Sequence, residues 1–496
     1  MNTIITIAVI YLIGVFAIGI WAMRRTKTSE DFFIAGKSLG IFVAAMAVFA
    51  TALSGFLFIG GPGLTYSVGM GALWFTFPTS ISFAMAWYIL GKRMRLLTDA
   101  TGAMTVADAV YYRFKSRAAS GLTGVATLVG IVVFLGTQVL ALGTIIAYIF
   151  PAISVTQGVI IGMTIVALYS AAGGILAGTY TSVFQGSIMA VGSFLVFILT
   201  LTTGDGLTNI TQTIATQPFT DMGTAMPEFV GPWGLVGPMV AMSWFFALSI
   251  GIVGQPHVVS RLYMIKDVNK LKWGPAVAAV PAILGGLLFF GVGLVMRYLV
   301  MTGEIAPLAN PDDAILVFLT EFTPPVLAGI VLAGVAAAIM STCDAFINIA
   351  SAAAVRDLPR AFGKKLSDKK QLVYGRIAVV TISVITVVTV LQMGDDGIAL
   401  LGAVGWGTFA AALAPVLGLG LNWKRATKEG AIASIIVGLV SSVGFEILAT
   451  IGVYELPNGI YIGALSMVLS LIAFIAVSFA TKQEQLDEVM ETVMDA

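Results

Sequence analysis

Apolar stretches recur from one end of this chain to the other. Each is about as long as the roughly 20-residue helix that a bilayer core requires, and charge is confined to the gaps between them. The pattern predicts thirteen spans, at 3–22, 38–66, 70–90, 119–149, 154–171, 175–202, 232–259, 273–299, 322–353, 373–393, 398–421, 428–450 and 458–480. The first run ends in Arg24, Arg25 and Lys27 and lacks a small-residue cleavage site, so it reads as a retained helix rather than a signal peptide. Only one gap carries its own amphipathic segment, Val106 to Phe114, which is expected to lie on the membrane surface.

Composition agrees with this pattern. Hydrophobic residues make up 58% of the 496 positions and charged residues 10%, with mean hydropathy +0.99, too little charge to cover a soluble surface. The fold class is therefore an all-α polytopic membrane protein, one transmembrane domain over 1–496, with no segment large enough for a separate soluble domain. Of the 26 basic residues, 25 fall in gaps on one side, and only Arg297 lies at the other surface. The basic side is cytoplasmic by the positive-inside rule, which puts the N-terminus outside and the C-terminus inside. The opposite surface carries 203–231 and 300–321, readable as outer gates or as solvated loops.

A net charge of +1 gives no support to nucleic-acid binding. A single cysteine, Cys343, excludes an intrachain disulfide, and a single histidine, His257, excludes a multi-histidine metal centre. No nucleophile triad or cofactor fingerprint is present, so the chain does not read as an enzyme.

Chemistry should lie where the spans break. Residues 50–63 hold Gly55, Gly60, Gly61, Pro62 and Gly63 inside the second span, with Thr51 and Ser54 beside them. Pro62 cannot donate a backbone bond, and an interrupted helix in lipid leaves carbonyls that need partners. Such carbonyls can coordinate a cation near mid-membrane, whereas the glycines alone would also suit close helix packing. In the ninth span Ala338, Ser341 and Thr342 share a helical face and offer neutral oxygen donors suited to Na⁺. Asp344 is the one acid deep in that stretch, either a functional carboxylate or an anchor bonded to Asn348. Further breaks occur at Gly173-Gly174 and at Gly254-Gln255-Pro256-His257, where Arg261 marks the cytoplasmic boundary and His257 reads as interfacial. Trp74, Gln138, Trp244 and Phe245 are substrate-pocket candidates that would equally serve as packing residues.

With these segments quoted, the chain resembles the sodium:solute symporter family over nearly its whole length. The resemblance rests on Ser54 to Gly63, Gly173-Gly174 with Gln185-Gly186, Gly254 to His257 with Arg261, and Ala338 to Thr342 with Asp344. It implies a LeuT-like fold of two inverted five-helix repeats, at about 38–202 and 232–421. It also implies a sodium site on the carbonyls of Ala50, Leu53 and Ala338 and the hydroxyls of Ser341 and Thr342. Many members carry an Asp where this chain has Ser182, which favours one coupled sodium ion here. Proline carriers of the family place a substrate-binding Trp at the position of Leu248, which argues against L-proline. Ser54, Gly55, Gln255, Leu248 and Asp344 join the aromatic candidates as substrate or gate residues.

The implied function is sodium-coupled symport of a small carboxylate or amino acid across a cell membrane, the bacterial inner membrane, by alternating access. A proton-coupled carrier using Asp344 and a membrane sensor on the same fold are the alternatives. The implied partners are the solute, Na⁺ and the lipid bilayer, with no nucleic acid; nothing in the sequence specifies an oligomeric state.

Overall fold

Residues 2–24, 39–52, 55–218, 225–392 and 398–496 are described by the computed structural model, with backbone alone over 172–181. Among the described residues, ten helical segments are long and apolar enough to cross a membrane, and two shorter apolar segments, Ile41–Thr51 and Val155–Leu168, accompany them. The elements that build the site are α1 (Asn2–Met23), α2 (Ile41–Ala52), α3 (Gly60–Val68), α4 (Leu73–Ala86), α5 (Val106–Phe114), α6 (Arg117–Ile149) and α7 (Val155–Thr203). They continue with α8 (Gly237–Ile250), α9 (Pro256–Tyr263), α10 (Gly274–Met301), α11 (Ala314–Glu321), α12 (Pro325–Ala352), α13 (Leu358–Ala361), α14 (Asp368–Val390), α15 (Ile398–Ala414), α16 (Lys428–Thr450) and α17 (Ile462–Ala480).

These helices are built for lipid. On α14 the side chains of Val373, Ile377, Val380 and Val384 are exposed, while Ser383 and Thr386 are buried. A water-soluble helix would invert that arrangement; in a bilayer the polar groups must find protein partners. The pairing of α16 with α17 shows how. Ser434 and Ser470 bond each other at 2.8 Å, and Gly430 lies against Ser478, so small residues bring the backbones together.

The fifth and sixth predicted spans are carried by one helical assignment, α7, rather than by two. A straight helix of 49 residues would be about 74 Å long, more than twice the hydrocarbon thickness. Its contacts show that it doubles back. Ile161 and Ile165 line a cavity together with Leu332 and Ala336 of α12, and Ile188 lies against Gly334 of the same helix. Positions so far apart in sequence reach one level of α12 only if the two arms run antiparallel.

Within the second span the described break is at Ile59, directly before the glycines. Helix α2 is described as far as Ala52, a short turn of helix runs Gly55–Phe58, and α3 begins at Gly60, with 53 and 54 outside the described residues. Pro62 therefore sits in the first turn of α3, where a missing N–H costs nothing. The glycines serve close approach. A Cβ on Gly61 would stand 2.9 Å from the Phe289 ring, and one on Gly63 would stand 2.7 Å from Asp312 Oδ1.

The segment α5 is helical, as its pattern predicts, and it is packed into the protein. Val106, Asp108, Val110, Arg113 and Phe114 are all buried, and Arg113 Nε donates to Gly420 O at 2.7 Å. It is wedged beneath the helices rather than floating beside them.

Gly63→Ala is expected to displace the Pro311–Asp313 turn and to lower stability by about 1–3 kcal/mol. Thermal unfolding of the purified protein measures this, and an unchanged midpoint would mean that the turn can shift at no cost.

Candidate functional site

The polar face of α12 meets the end of α2 at full burial. Ala338 O accepts from Thr342 Oγ1 at 2.8 Å and from Ser341 Oγ at 3.1 Å. Thr342 Oγ1 also lies 3.5 Å from Ala50 O and 3.4 Å from Thr51 O, carbonyls in the last described turn of α2. Ser182 of α7 adds a third hydroxyl, with its Oγ donating to Ser341 Oγ at 3.3 Å. Ala50, Ala338, Ser341 and Thr342 thus come together, while Leu53 and Ser54 lie outside the described residues. The donors are hard, neutral oxygens, a chemistry that suits a monovalent cation bound reversibly. Ser182 was read from the sequence as a missing acid; the structure brings it into the cluster.

Asp344, one turn further along α12, is anchored. Its Oδ1 accepts from Asn348 Nδ2 at 2.9 Å, and the same amide donates to Asp344 O. Asp344 Oδ2 has no hydrogen-bond partner among the described residues, and Ser170 and Arg261 stand near the carboxylate.

Next to the oxygen cluster is a packed group of aromatic rings. Phe56 packs against Phe134 at 5.4 Å, Phe75 at 5.6 Å and Trp406 at 6.1 Å between ring centres, and Trp244 meets Phe75 edge-on at 5.2 Å. Gly55 admits this packing, since a Cβ there would stand 2.6 Å from Ala141 Cβ. Gln138 and Leu248 are fully buried. Gln255 Nε2 donates to Trp406 O at 3.1 Å, while Gln255 Oε1 and Trp406 Nε1 have no partner among the described residues.

The remaining candidates are placed as follows. His257 is fully buried, 4.6 Å from the Phe346 ring, with both ring nitrogens unpartnered among the described residues. Arg261 is buried as well. Trp74 and Phe245 belong to a separate stack. Trp74 lies on Trp233 at 4.9 Å and donates Nε1 to Pro232 O at 2.7 Å, with Phe245 edge-on to it. The sequence argument missed Trp406, Phe56 and Phe134, because aromatics within spans carry no signal of which rings will meet.

Both mouths of this region are tied by buried aspartates. On the basic side Asp108 of α5 accepts from Arg356 Nη2 at 2.9 Å, Arg360 Nη1 at 2.8 Å and the Met104 amide at 3.0 Å. Thr105, the N-cap of α5, donates to Asp357 Oδ1 at 2.9 Å. At the opposite side Asp312 Oδ2 accepts from the Ile398 amide, the first residue of α15, at 2.8 Å. Burial, with Asp313 beside it, pushes the Asp312 carboxyl up to about 6 although the Ile398 bond pulls it down. Arg297, placed at the outer surface by the sequence, is buried. It donates Nη2 to Tyr66 O at 2.9 Å and lies 4.0 Å over the Tyr66 ring, pinning α10 to α3.

Comparison with known proteins is consistent with this geometry. A model of the Sodium:solute symporter family matches residues 32–438. The chain is 29% identical over 488 residues to the osmoregulated proline transporter OpuE of Bacillus subtilis, covering 96% of this chain and 94% of that relative. It is 29% identical over 482 residues to the sodium/pantothenate symporter of Escherichia coli, covering 94% of each. Among solved structures, a Na⁺-coupled sialic acid symporter in a substrate-bound outward-open state superposes with a TM-score of 0.76 at 19% identity, over 98% of this chain and 99% of that one. That likeness is one of fold.

The raised Asp312 carboxyl predicts a pH dependence. Between its ordinary value and about 6 the folded protein binds more protons at this group than the unfolded chain does, so its contribution to stability falls as pH rises through that window and is flat above it. Asp312→Asn, which keeps an acceptor for Ile398 without a charge, should be more stable than wild type by on the order of 1–3 kcal/mol at pH 7. That gain should vanish near pH 4. Paired unfolding curves across pH 4–8 measure it, and a constant difference would contradict the assignment.

Proposed function

The chain belongs to the sodium:solute symporter family, and on that premise we propose how its geometry couples an ion to a solute. It is a multi-pass membrane protein, a sodium-coupled secondary active symporter of a small organic solute that works by alternating access. Its partners are that solute and Na⁺ within a lipid bilayer.

Na⁺ binds between the interruption of the second span and α12, on the carbonyls of Ala50, Leu53 and Ala338 and the hydroxyls of Ser341 and Thr342. The observation that carries this is the approach of Thr342 Oγ1 to the Ala50 and Thr51 carbonyls. A cation there replaces a hydroxyl proton as the partner of those carbonyls and holds α2 against α12. Ser182, a hydroxyl rather than an acid, leaves the cage neutral and supports one coupled ion. The solute binds among the adjoining aromatic rings, reaching the free polar atoms of Gln255 and Trp406. Proline and pantothenate, carried by two relatives, are both small carboxylates, and this chain carries a solute of that class. Leu248 offers no polar or aromatic contact there.

The helices form two inverted repeats, 38–202 and 232–421, within thirteen spans, N-terminus outside. Supporting this, the helices α5 and α11 fall at equivalent places between the second and third members of each repeat. The loops before and within them carry Asp108 and Asp312, one tied across the inner mouth and one across the outer. Ion and solute together must favour the exchange of open mouths more than either alone, and that coupling is reciprocal. Voltage adds roughly 2.3 kcal/mol per charge per 100 mV to the sodium gradient.

Two expected outcomes test this reading. Ser341→Ala with Thr342→Ala should raise the Na⁺ concentration for half-maximal uptake at least tenfold in proteoliposomes with an imposed Na⁺ gradient, and unchanged Na⁺ dependence with normal uptake would refute the cage. Asp108→Asn removes the charge that binds two arginines, costing the closed inner mouth on the order of 3 kcal/mol. A thiol introduced by Ser260→Cys, beside the small inner cavity, should then label faster from the basic face; equal labelling in both backgrounds would remove Asp108 from the gate.

A further inference from the structure

Behind the Asp108 junction lies a cavity of about 270 Å³ that transport itself does not use. Its walls include Arg117, Arg360, Lys364 and Lys365, with Tyr111 and Tyr112. Asp108 is already shared between Arg356 and Arg360. Among the described residues no carboxylate lies within ion-pair distance of Arg117, Lys364 or Lys365, while the neighbouring lysine Lys115 does have one, Asp487. Even with Asp357 counted, five cations face two carboxylates around this one junction. Like charges so crowded repel unless an anion enters.

The wall is built, not a trailing loop. Gly363 N donates to Arg360 O and Lys364 N to Pro359 O, each at 2.9 Å, which fixes the turn after α13. Gly363 has φ +76°, and a Cβ there would stand 3.2 Å from Arg117 Nη1, so the turn closes directly over that guanidinium. Between the arginine and the lysines, Phe362 projects with 81% of its surface exposed. The lipid-facing stripe of α14 begins at Val373, a few residues further on, with Lys369 and Lys370 between. Basic residues beside an apolar lipid-facing stripe mark where headgroups meet acyl chains, and an exposed aromatic side chain suits that boundary.

We propose that this cavity is a binding site for the phosphate of an anionic phospholipid, held by Arg117, Arg360, Lys364 and Lys365 and anchored by Phe362 against the acyl chains. The exposed phenyl ring selects a lipid over a soluble phosphate, because an ion free in water gains nothing from it. A bound headgroup spans α5 and α6 on one wall and the turn after α13 on the other, the same two parts that Asp108 joins. It thereby braces the inner mouth; that consequence rests on the gate reading above, whereas the binding does not.

The test uses the full-length protein in neutral detergent, with no Na⁺ gradient or solute, so that it stands apart from any transport assay. Dioctanoyl phosphatidylglycerol is titrated against dioctanoyl phosphatidylcholine and inorganic phosphate, with bound lipid counted by native mass spectrometry and protection read as a shift in unfolding temperature. Phosphatidylglycerol is expected to bind and protect at concentrations at which phosphatidylcholine does not. Its affinity should fall at least tenfold in Arg117→Gln/Lys364→Gln/Lys365→Gln and remain in Lys92→Gln/Lys482→Gln, which removes basic residues elsewhere. Phe362→Ala should weaken phosphatidylglycerol without altering any effect of inorganic phosphate. Equal affinity in the triple variant, equal binding of both lipids, or equal protection by inorganic phosphate would each overturn the proposal.

Discussion

Polar oxygens inside a bilayer have no water to bond, and this protein is arranged around gathering several of them where α2 meets α12. The Ala50 and Thr51 carbonyls face a hydroxyl of α12, and a second and third hydroxyl, from Ser341 and Ser182, stand behind it. Oxygen atoms concentrated in this way are expensive to bury and are tolerated because they satisfy each other. The site therefore ties α2, α7 and α12 to a common point, and anything that changes how those oxygens are satisfied changes how the three helices sit.

The two ends of this region are held by unlike means. The basic end has a carboxylate between two guanidiniums and a backbone amide, charge-assisted bonds in a buried setting. The opposite end has a single backbone donor to a carboxylate whose burial disfavours its charge. The junction at the basic end is the firmer of the two by its hydrogen bonds.

Between them the aromatic cluster is largely apolar, yet it holds polar atoms with no hydrogen-bond partner among the described residues: Gln255 Oε1, Trp406 Nε1 and both nitrogens of His257. Buried polar atoms rarely stay unpaired. They gather where the start of α9 meets α15, beside the rings of Phe134 and Phe346.

Much of this was legible in the residues themselves. Apolar length declares the membrane-crossing helices, and Ala338, Ser341 and Thr342 declare a polar face because helical spacing is fixed by the backbone. Pro62 misled, since proline is harmless in a first turn and disruptive only further in. Tertiary structure decided the rest. That Ser182 reaches Ser341, that α7 doubles back, that His257 and Arg261 are buried and that Trp74 stacks on Trp233 all depend on which helix faces are brought into contact. Local sequence constrains a residue's place on its own helix, but the partner across the gap is chosen by packing among segments hundreds of residues apart, and no periodicity within one segment encodes it.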